Sequence, residues 1–152
     1  ERGKRDAFRL PRPLLDETRL DFSFSGLKTA VRYAIAGPGG TPDATRLPDE
    51  GTRADLAASF QEAVVDCLVG KSIAACRRTG LSRLCVGGGV AANRRFRERL
   101  ERSCREEGIE LHVAPLDWCT DNAVMGALGF ESLRAGQTAP LDLDVVPGLV
   151  RR

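Results

Sequence analysis

Between positions 20 and 26 apolar and polar residues alternate through Leu20, Phe22 and Phe24, which predicts a strand with one buried face, broken at Gly26. The period then lengthens. Leu27, Ala30, Val31 and Ala34 recur at helical spacing and predict a helix over 27–35. Positions 37–51 are rich in Gly, Pro, Asp and Thr and read as a flexible loop. The longest helical pattern follows, from Thr52 to about Arg78, with Leu56, Phe60, Val64, Cys67 and Leu68 on one stripe and Gly80 as its terminator. A short apolar run over 83–87 predicts a second strand. Phe96, Leu100 and Cys104 then carry a helix to about Glu107, and Ile109, Leu111 and Val113 alternate in a third strand over 109–114. A loop over 115–119 leads through Thr120-Asp121-Asn122 into a last helix over 123–135. At the ends, 1–18 carries Pro11 and Pro13 without a sustained period and reads as a lead segment over the surface, and 137–152 reads as an extended tail.

The predicted order is strand-helix-helix-strand-helix-strand-helix. One helix of crossover length separates the last two strands, so they are expected to be parallel. This is an α/β fold with a partly parallel mixed sheet flanked by helices, formed by one domain across 1–152. Ligands on such sheets collect beyond the carboxyl ends of the strands. The turns at Gly26, at 87–93 and at 120–122 are therefore expected to converge on one cleft.

Composition changes this picture little. The 42% hydrophobic and 29% charged content is that of an ordinary soluble globular domain, and a net charge of +2 does not announce a nucleic-acid binder. Nearly all basic residues are arginine; the lysines are Lys4, Lys28 and Lys71. Arg94, Arg95, Arg97, Arg99, Arg102 and Arg105 are interleaved with glutamates, a pattern of helix-surface ion pairing, with a phosphate-tracking surface for RNA as the alternative. The five cysteines have no close-paired spacing, and Cys67, Cys85 and Cys104 fall on apolar faces, as expected of reduced, buried thiols in a cytosolic protein. No signal peptide or membrane-spanning run is recognised. The first residue, Glu1, suggests a piece of something longer.

The candidate chemistry centres on Val86-Gly87-Gly88-Gly89-Val90-Ala91-Ala92-Asn93. A strand breaks into three glycines and a helix is expected to begin at once, a corner whose close backbone approach and free N–H groups suit an anion or a nucleotide. Neither common phosphate fingerprint applies here. Gly70-Lys71-Ser72 lies within the long helical pattern and is set aside. Asn93, in the first turn of its helix, offers a donor and an acceptor to a ribose hydroxyl or base edge, or else satisfies the helix start. Ala91 and Ala92 are small enough to pass a flat ring. Ser23, Ser25 and Lys28 lie at the mouth of the first turn, with Ser25 alternatively a helix cap and Lys28 in solvent. Asp121 reads by default as an N-cap and alternatively as a metal ligand. The single histidine, His112, sits opposite the apolar face of its strand and reads as satisfied or solvated. Ala123, Gly126, Ala127 and Gly129 give the last helix a face open to close approach.

Three segments taken together carry a resemblance: Asp21-Phe22-Ser23-Phe24-Ser25-Gly26-Leu27-Lys28-Thr29, then the glycine corner through Asn93, then Cys119-Thr120-Asp121-Asn122-Ala123 with Met125. They are similar to the three successive motifs in the C-terminal half of the tRNA threonylcarbamoyladenosine transferase family, formerly called O-sialoglycoprotein endopeptidases or glycoproteases. The resemblance implies one ribonuclease-H-like lobe of the actin, sugar-kinase and heat-shock ATPase superfamily. It also implies a nucleoside contact from Asn93, which adds to the nucleotide contacts expected of Gly87, Gly88 and Gly89 at the corner and of Ser25 and Lys28 at the first turn, and a metal ligand at Asp121 for iron or zinc. The implied reaction is cytoplasmic transfer of threonylcarbamoyl from threonylcarbamoyl-AMP to the adenosine beside the anticodon of tRNA, with accessory proteins and no membrane. The family's other metal ligands are two histidines spaced four apart in the N-terminal half, and this chain has only His112. The expectation is thus a C-terminal lobe, with no catalytic residue of its own assigned, inactive without its missing half. The alternatives are a non-catalytic nucleotide-binding or protein-interaction module and, third, a metalloendopeptidase.

Overall fold

The computed structural model describes residues 3–15, 18–37, 40, 48–120, 123–140 and 142. They divide into two compact units, Glu1–Cys119 and Thr120–Arg152. The first unit holds α1 (Ser25–Ala36), α2 (Glu50–Thr79), β1 (Arg83–Val86), α3 (Arg94–Glu106) and β2 (Glu110–Val113).

Helix α2 is the longest element because both of its ends are specified. Asp49 caps it, its carboxylate accepting from the Thr52 amide at 3.0 Å, and Gly80 ends it in the left-handed conformation at φ +68°. A single apolar stripe was expected on it, yet α2 buries residues around most of its circumference. Leu56 and Ala63 join Leu10 and Leu27 in one cluster, against which Phe8, Phe24 and Phe60 pack. Val65, Val69 and Ile73 join Phe96, Leu100 and Cys104 in a second, backed by Leu84, Val86 and Leu111 from the strands. A helix apolar on several sides is an interior helix.

The remaining side of α2 receives the lead segment, which sequence periodicity left unassigned. The Lys4 amide donates to Asp55 Oδ1 at 2.6 Å, the Phe8 amide to Ser59 Oγ at 3.1 Å, and Arg12 Nε to Asp66 Oδ2 at 3.2 Å. Further along, Lys71 donates to the Arg19 carbonyl and Arg78 to the Thr18 carbonyl. The segment thus runs beside α2 in the same direction, held by hydrogen bonds rather than by a period of its own. Gly3 lies so close to the helix that a Cβ there would meet the Ala54 carbonyl oxygen at 2.0 Å. Gly70-Lys71-Ser72 lies inside α2, with Lys71 buried, as expected of a segment that is no phosphate loop.

β1 and β2 are parallel, with Arg83 opposite Glu110 and Val86 opposite Val113, and α3 makes the crossover between them. Their inner residues Leu84, Val86, Leu111 and Val113 are half-buried, while Arg83, Cys85, Glu110 and His112 are exposed. Cys85 therefore departs from the expectation of a buried thiol, because strand alternation puts it on the face opposite Leu84 and Val86. Cys67, Cys76, Cys104 and Cys119 are buried, and all five are free.

The strand expected over 20–26 is not formed. Residues 20–24 carry no regular structure and α1 begins at Ser25, with Phe24 in the capping position. Alternation alone does not make a strand; the backbone needs a ladder partner, and the sheet among the described residues has only β1 and β2. Phe24 packs on the first cluster and Phe22 stays exposed. On α1 the buried turn also shifts, with Ile35 rather than Ala34 facing the cluster. Of the loop expected over 37–51, residues 38, 39 and 41–47 lie outside the described residues.

The second unit contains α4 (Ala123–Arg134). Ala123, Gly126, Ala127 and Gly129 are exposed on it, and a Cβ at Gly126 or Gly129 would meet nothing within 4 Å. Among the described residues no helix is long and apolar enough to cross a membrane.

Leu100 is fully buried at the centre of the second cluster, whereas Leu133 on α4 is 60% exposed. Leu100→Ala is expected to lower unfolding free energy by about 2–5 kcal/mol. Leu133→Ala should change it by less than about 0.5 kcal/mol. Urea unfolding followed by far-ultraviolet circular dichroism checks both.

Candidate functional site

The chain leaves β1 at Val86, whose carbonyl still accepts from the Ala114 amide at 2.9 Å, and enters the glycine corner. A helix was expected to begin at once. Instead a 3-10 turn, Gly89–Ala92, intervenes, closed by the Ala91 amide on the Gly88 carbonyl and the Asn93 amide on the Val90 carbonyl, each at 2.9 Å. Of the three glycines only Gly88 needs its freedom, at φ +86°. A Cβ at Gly87 would sit 3.8 Å from the Ala114 Cβ and one at Gly89 3.9 Å from the Cys119 carbonyl oxygen, ordinary contacts both. Packing within this unit does not require those two positions to be bare.

Because of the intervening turn, Asn93 is the N-cap of α3 and not a residue of its first turn. Its Oδ1 accepts from the Phe96 amide at 3.0 Å and its Nδ2 donates to Gln61 Oε1 on α2 at 3.0 Å. The helix-start role is thus real. The amide nitrogen carries a second hydrogen beyond the one given to Gln61. Ala91 is buried and so lines no ring passage, while Ala92 is exposed.

One residue further along α2, Glu62 accepts from Arg95 at 2.8 and 2.6 Å and pairs with Arg99 at 3.4 Å; Arg99 also reaches Asp66 at 3.2 Å. Arg94 pairs with Glu98 and Arg102 with Glu106 along the surface of α3. Ion pairing thus accounts for most of the arginine pattern, partly across the α2–α3 interface. Arg97 differs. Its guanidinium donates to the Ala91 carbonyl, to the Ala114 carbonyl at 2.8 Å and toward Cys119 Sγ at 3.4 Å. Neither Gln61 nor Arg97 was singled out by sequence, since partners 32 and 22 positions away leave no local signal.

Ser25 and Lys28 are exposed at the start of α1. Ser25 is not a cap: α1 has no side-chain cap bond, and the Ser25 carbonyl accepts from Thr29 Oγ1 at 3.2 Å. The described hydrogen bonds join the glycine corner to α2 and to the loop 114–119, and none of them joins it to the turn at Gly26. Asp121 and Asn122 lie outside the described residues. His112 is exposed and its Nε2 lies 3.1 Å from Glu110 Oε1. Among the described residues no three His, Cys, Asp or Glu side chains gather as a metal site would require. The expected ligand, Asp121, lies outside those residues.

The Arg95 hydrogen bond, outweighing burial, holds the Glu62 carboxyl below its ordinary value of 4.5, and Arg95 and Arg99 charges add to it. A carboxyl depressed on folding stabilises the fold above the unfolded-state value and loses that contribution as pH falls through the lowered one. Stability should therefore decline below pH 4.5. Glu62→Gln should flatten that acid limb while lowering stability at neutral pH, as read by thermal unfolding across a pH series.

A model of the TsaD family, tRNA N6-adenosine threonylcarbamoyltransferase, matches residues 1–128. Proteins named tRNA N6-adenosine threonylcarbamoyltransferase from Rhodopirellula baltica, Magnetococcus marinus and Verminephrobacter eiseniae are 47%, 44% and 48% identical to this chain. These matches cover 98%, 97% and 97% of this chain but 44%, 40% and 42% of the relatives. The chain thus spans about two-fifths of the length of the curated relatives it matches. With the glycine corner, the Ser25-Gly26-Leu27-Lys28 turn and the Cys119-Thr120-Asp121 run all present in order, the chain belongs to the tRNA N6-adenosine threonylcarbamoyltransferase family.

Proposed function

We propose that this chain is the C-terminal, ribonuclease-H-like lobe of a tRNA-modifying transferase and supplies nucleotide contacts to threonylcarbamoyl-AMP. The observation that carries this reading is the glycine corner. Gly87 and Gly89 would each admit a Cβ at ordinary contact distance, so packing within their unit does not demand their bareness, and among the described residues Asn93 beside them uses one of its two amide hydrogens. Backbone bare of Cβ next to a fixed amide suits a nucleoside and its phosphate. A recess of about 400 Å³ lined by Arg5, Arg94, Arg95 and Glu98 at the start of α3 suits a further phosphate, such as one of the tRNA backbone.

In the reaction so proposed, the exocyclic amine of the tRNA adenosine forms a bond to the threonylcarbamoyl carbonyl carbon. The carbonyl–oxygen bond to AMP breaks, AMP leaves, and the amine gives up one proton. This lobe binds and orients the leaving nucleotide, aided by Ser25 and Lys28. Asp121 would be one ligand of an iron or zinc ion, which would supply a Lewis acid for the carbonyl. Its companions would come from the other lobe, together with the rest of the cleft, and the isolated lobe is inactive. The site is cytoplasmic, served by tRNA and accessory proteins of the same pathway.

The test separates cap from ligand contact. Asn93→Ser keeps a capping oxygen but lacks the amide donor, whereas Asn93→Ala loses both. Calorimetric titration with AMP and a stable threonylcarbamoyl-adenylate analogue should show binding by the native chain, weakened about tenfold in Asn93→Ser. The unfolding midpoint of Asn93→Ser should stay near native, while Asn93→Ala lowers stability by about 1 kcal/mol. Native affinity in Asn93→Ser would reject the assignment of the nucleoside to this corner.

A further inference from the structure

The arginine at position 97 stands apart from its neighbours on α3. Arg94, Arg95, Arg99 and Arg102 each meet a carboxylate. Among the described residues the acceptors around Arg97 are two backbone carbonyls and a thiol. Arg97 is half-buried, and among the described residues its positive charge meets dipoles rather than a carboxylate.

Each acceptor belongs to a different piece of chain. Ala91 lies in the 3-10 turn that begins at Gly89, Ala114 prolongs β2, and Cys119 closes the loop after it. Cys119 is itself fixed, with its side chain 1% exposed and its Sγ 3.3 Å from the Pro115 carbonyl oxygen and 3.5 Å from that of Ala114. The two segments already meet at Gly89, where an added Cβ would lie 3.9 Å from the Cys119 carbonyl oxygen. A planar fork of fixed donors can hold such a set of acceptors at one spacing, which a single ammonium cannot.

We infer that Arg97 is a positioning residue: it fastens the glycine turn to the loop 114–119 and thereby sets the shape of the nucleotide corner. It does not contact the reacting atoms. This rests on the proposed nucleotide role of the corner, which it deepens in two ways. The turn carrying Gly87, Gly88, Gly89 and Asn93 gains a second anchor beyond the Asn93–Gln61 bond, and a guanidinium is stationed on the Ala91 carbonyl of the turn that an anionic phosphate would approach. The exposed apolar side chains of Val90 and Trp118 are each one residue from an Arg97 acceptor, so the same fastening fixes both.

Trp118 is the sole tryptophan of the chain and reports on the loop directly. Arg97→Met, which keeps an apolar stem, and Arg97→Lys, which keeps the charge, are compared with the native 152-residue chain and with Arg102→Met, a surface-pair control. The readouts are Trp118 fluorescence anisotropy without ligand and AMP affinity by calorimetry, with helix content checked by circular dichroism. Arg97→Met should retain its helices, lose Trp118 anisotropy and bind AMP about tenfold more weakly. Arg97→Lys should recover part of each loss, and Arg102→Met should match the native chain. Native anisotropy in Arg97→Met overturns the inference even if affinity falls, because a charge effect alone would then suffice. Should Arg97→Met fail to fold, Arg97→Lys decides, and native values in both readouts overturn it. If the native chain binds no AMP, the nucleotide reading of the corner fails, and anisotropy alone decides whether the fastening exists.

Discussion

Everything in the first unit depends on α2 having to satisfy neighbours on several sides at once. Its first half closes on α1 and the aromatic residues Phe8 and Phe24, its second half on α3 and the strands, and its third side on the lead segment. No single stripe can do this, so the helix spends small and polar residues where backbone comes close. Ser59 is fully buried yet accepts from the Phe8 amide and reaches the Lys4 carbonyl; Gly70 gives Leu15 its place; Lys71 is buried against the Arg19 carbonyl. Each would look like a flaw on an ordinary amphipathic helix. Together they convert an aperiodic lead segment into fixed structure, because the backbone groups of that segment find their partners on α2.

The same helix fixes the candidate site. Gln61 and Glu62 are consecutive, and they hold Asn93 and Arg95 at the start of α3. A neutral bond and a charged pair therefore act side by side on the first turn of that helix. Glu62 can remain ionised in a largely enclosed place because Arg95 grips both its oxygens, which offsets the cost of removing the charge from water. The corner's position is thus set from two directions: from α2 through Gln61 and Glu62, and from the β2 side through Arg97.

The parts of the fold legible in the sequence were those whose causes are local. Gly80 after α2, the period of Phe96, Leu100 and Cys104 in α3, and the alternation of Leu111 and Val113 all specify their elements within a few residues. The failures were matters of partnership. Leu20, Phe22 and Phe24 alternate as a strand would, but a strand exists only where a ladder accepts it, and α1 captures the chain at Ser25 instead. Cys85 lay in an apolar run, yet which face of β1 is covered depends on α2 and α3. For the site, the glycines and Asn93 stood out because their residue types are rare in element interiors. Gln61 and Arg97 did not, because nothing in an arginine-rich helix distinguishes the one arginine that faces carbonyls from those that face carboxylates.

Asn93 shows why the cap and the ligand reading are not rivals. A carboxamide free in solvent rotates among several orientations, and ordering it on binding would cost affinity. Here Oδ1 is held by the Phe96 amide and one Nδ2 hydrogen by Gln61, which fixes the plane of the group and leaves the remaining hydrogen aimed in one direction. The structural bonds thereby do the ordering before any ligand arrives. The same logic extends to the turn before it: Gly88 alone needs its conformation, so the bareness of Gly87 and Gly89 is available for approach while the 3-10 turn and Arg97 keep the backbone from relaxing into that space. A site built this way derives its precision from bonds that a sequence reading assigns to folding alone.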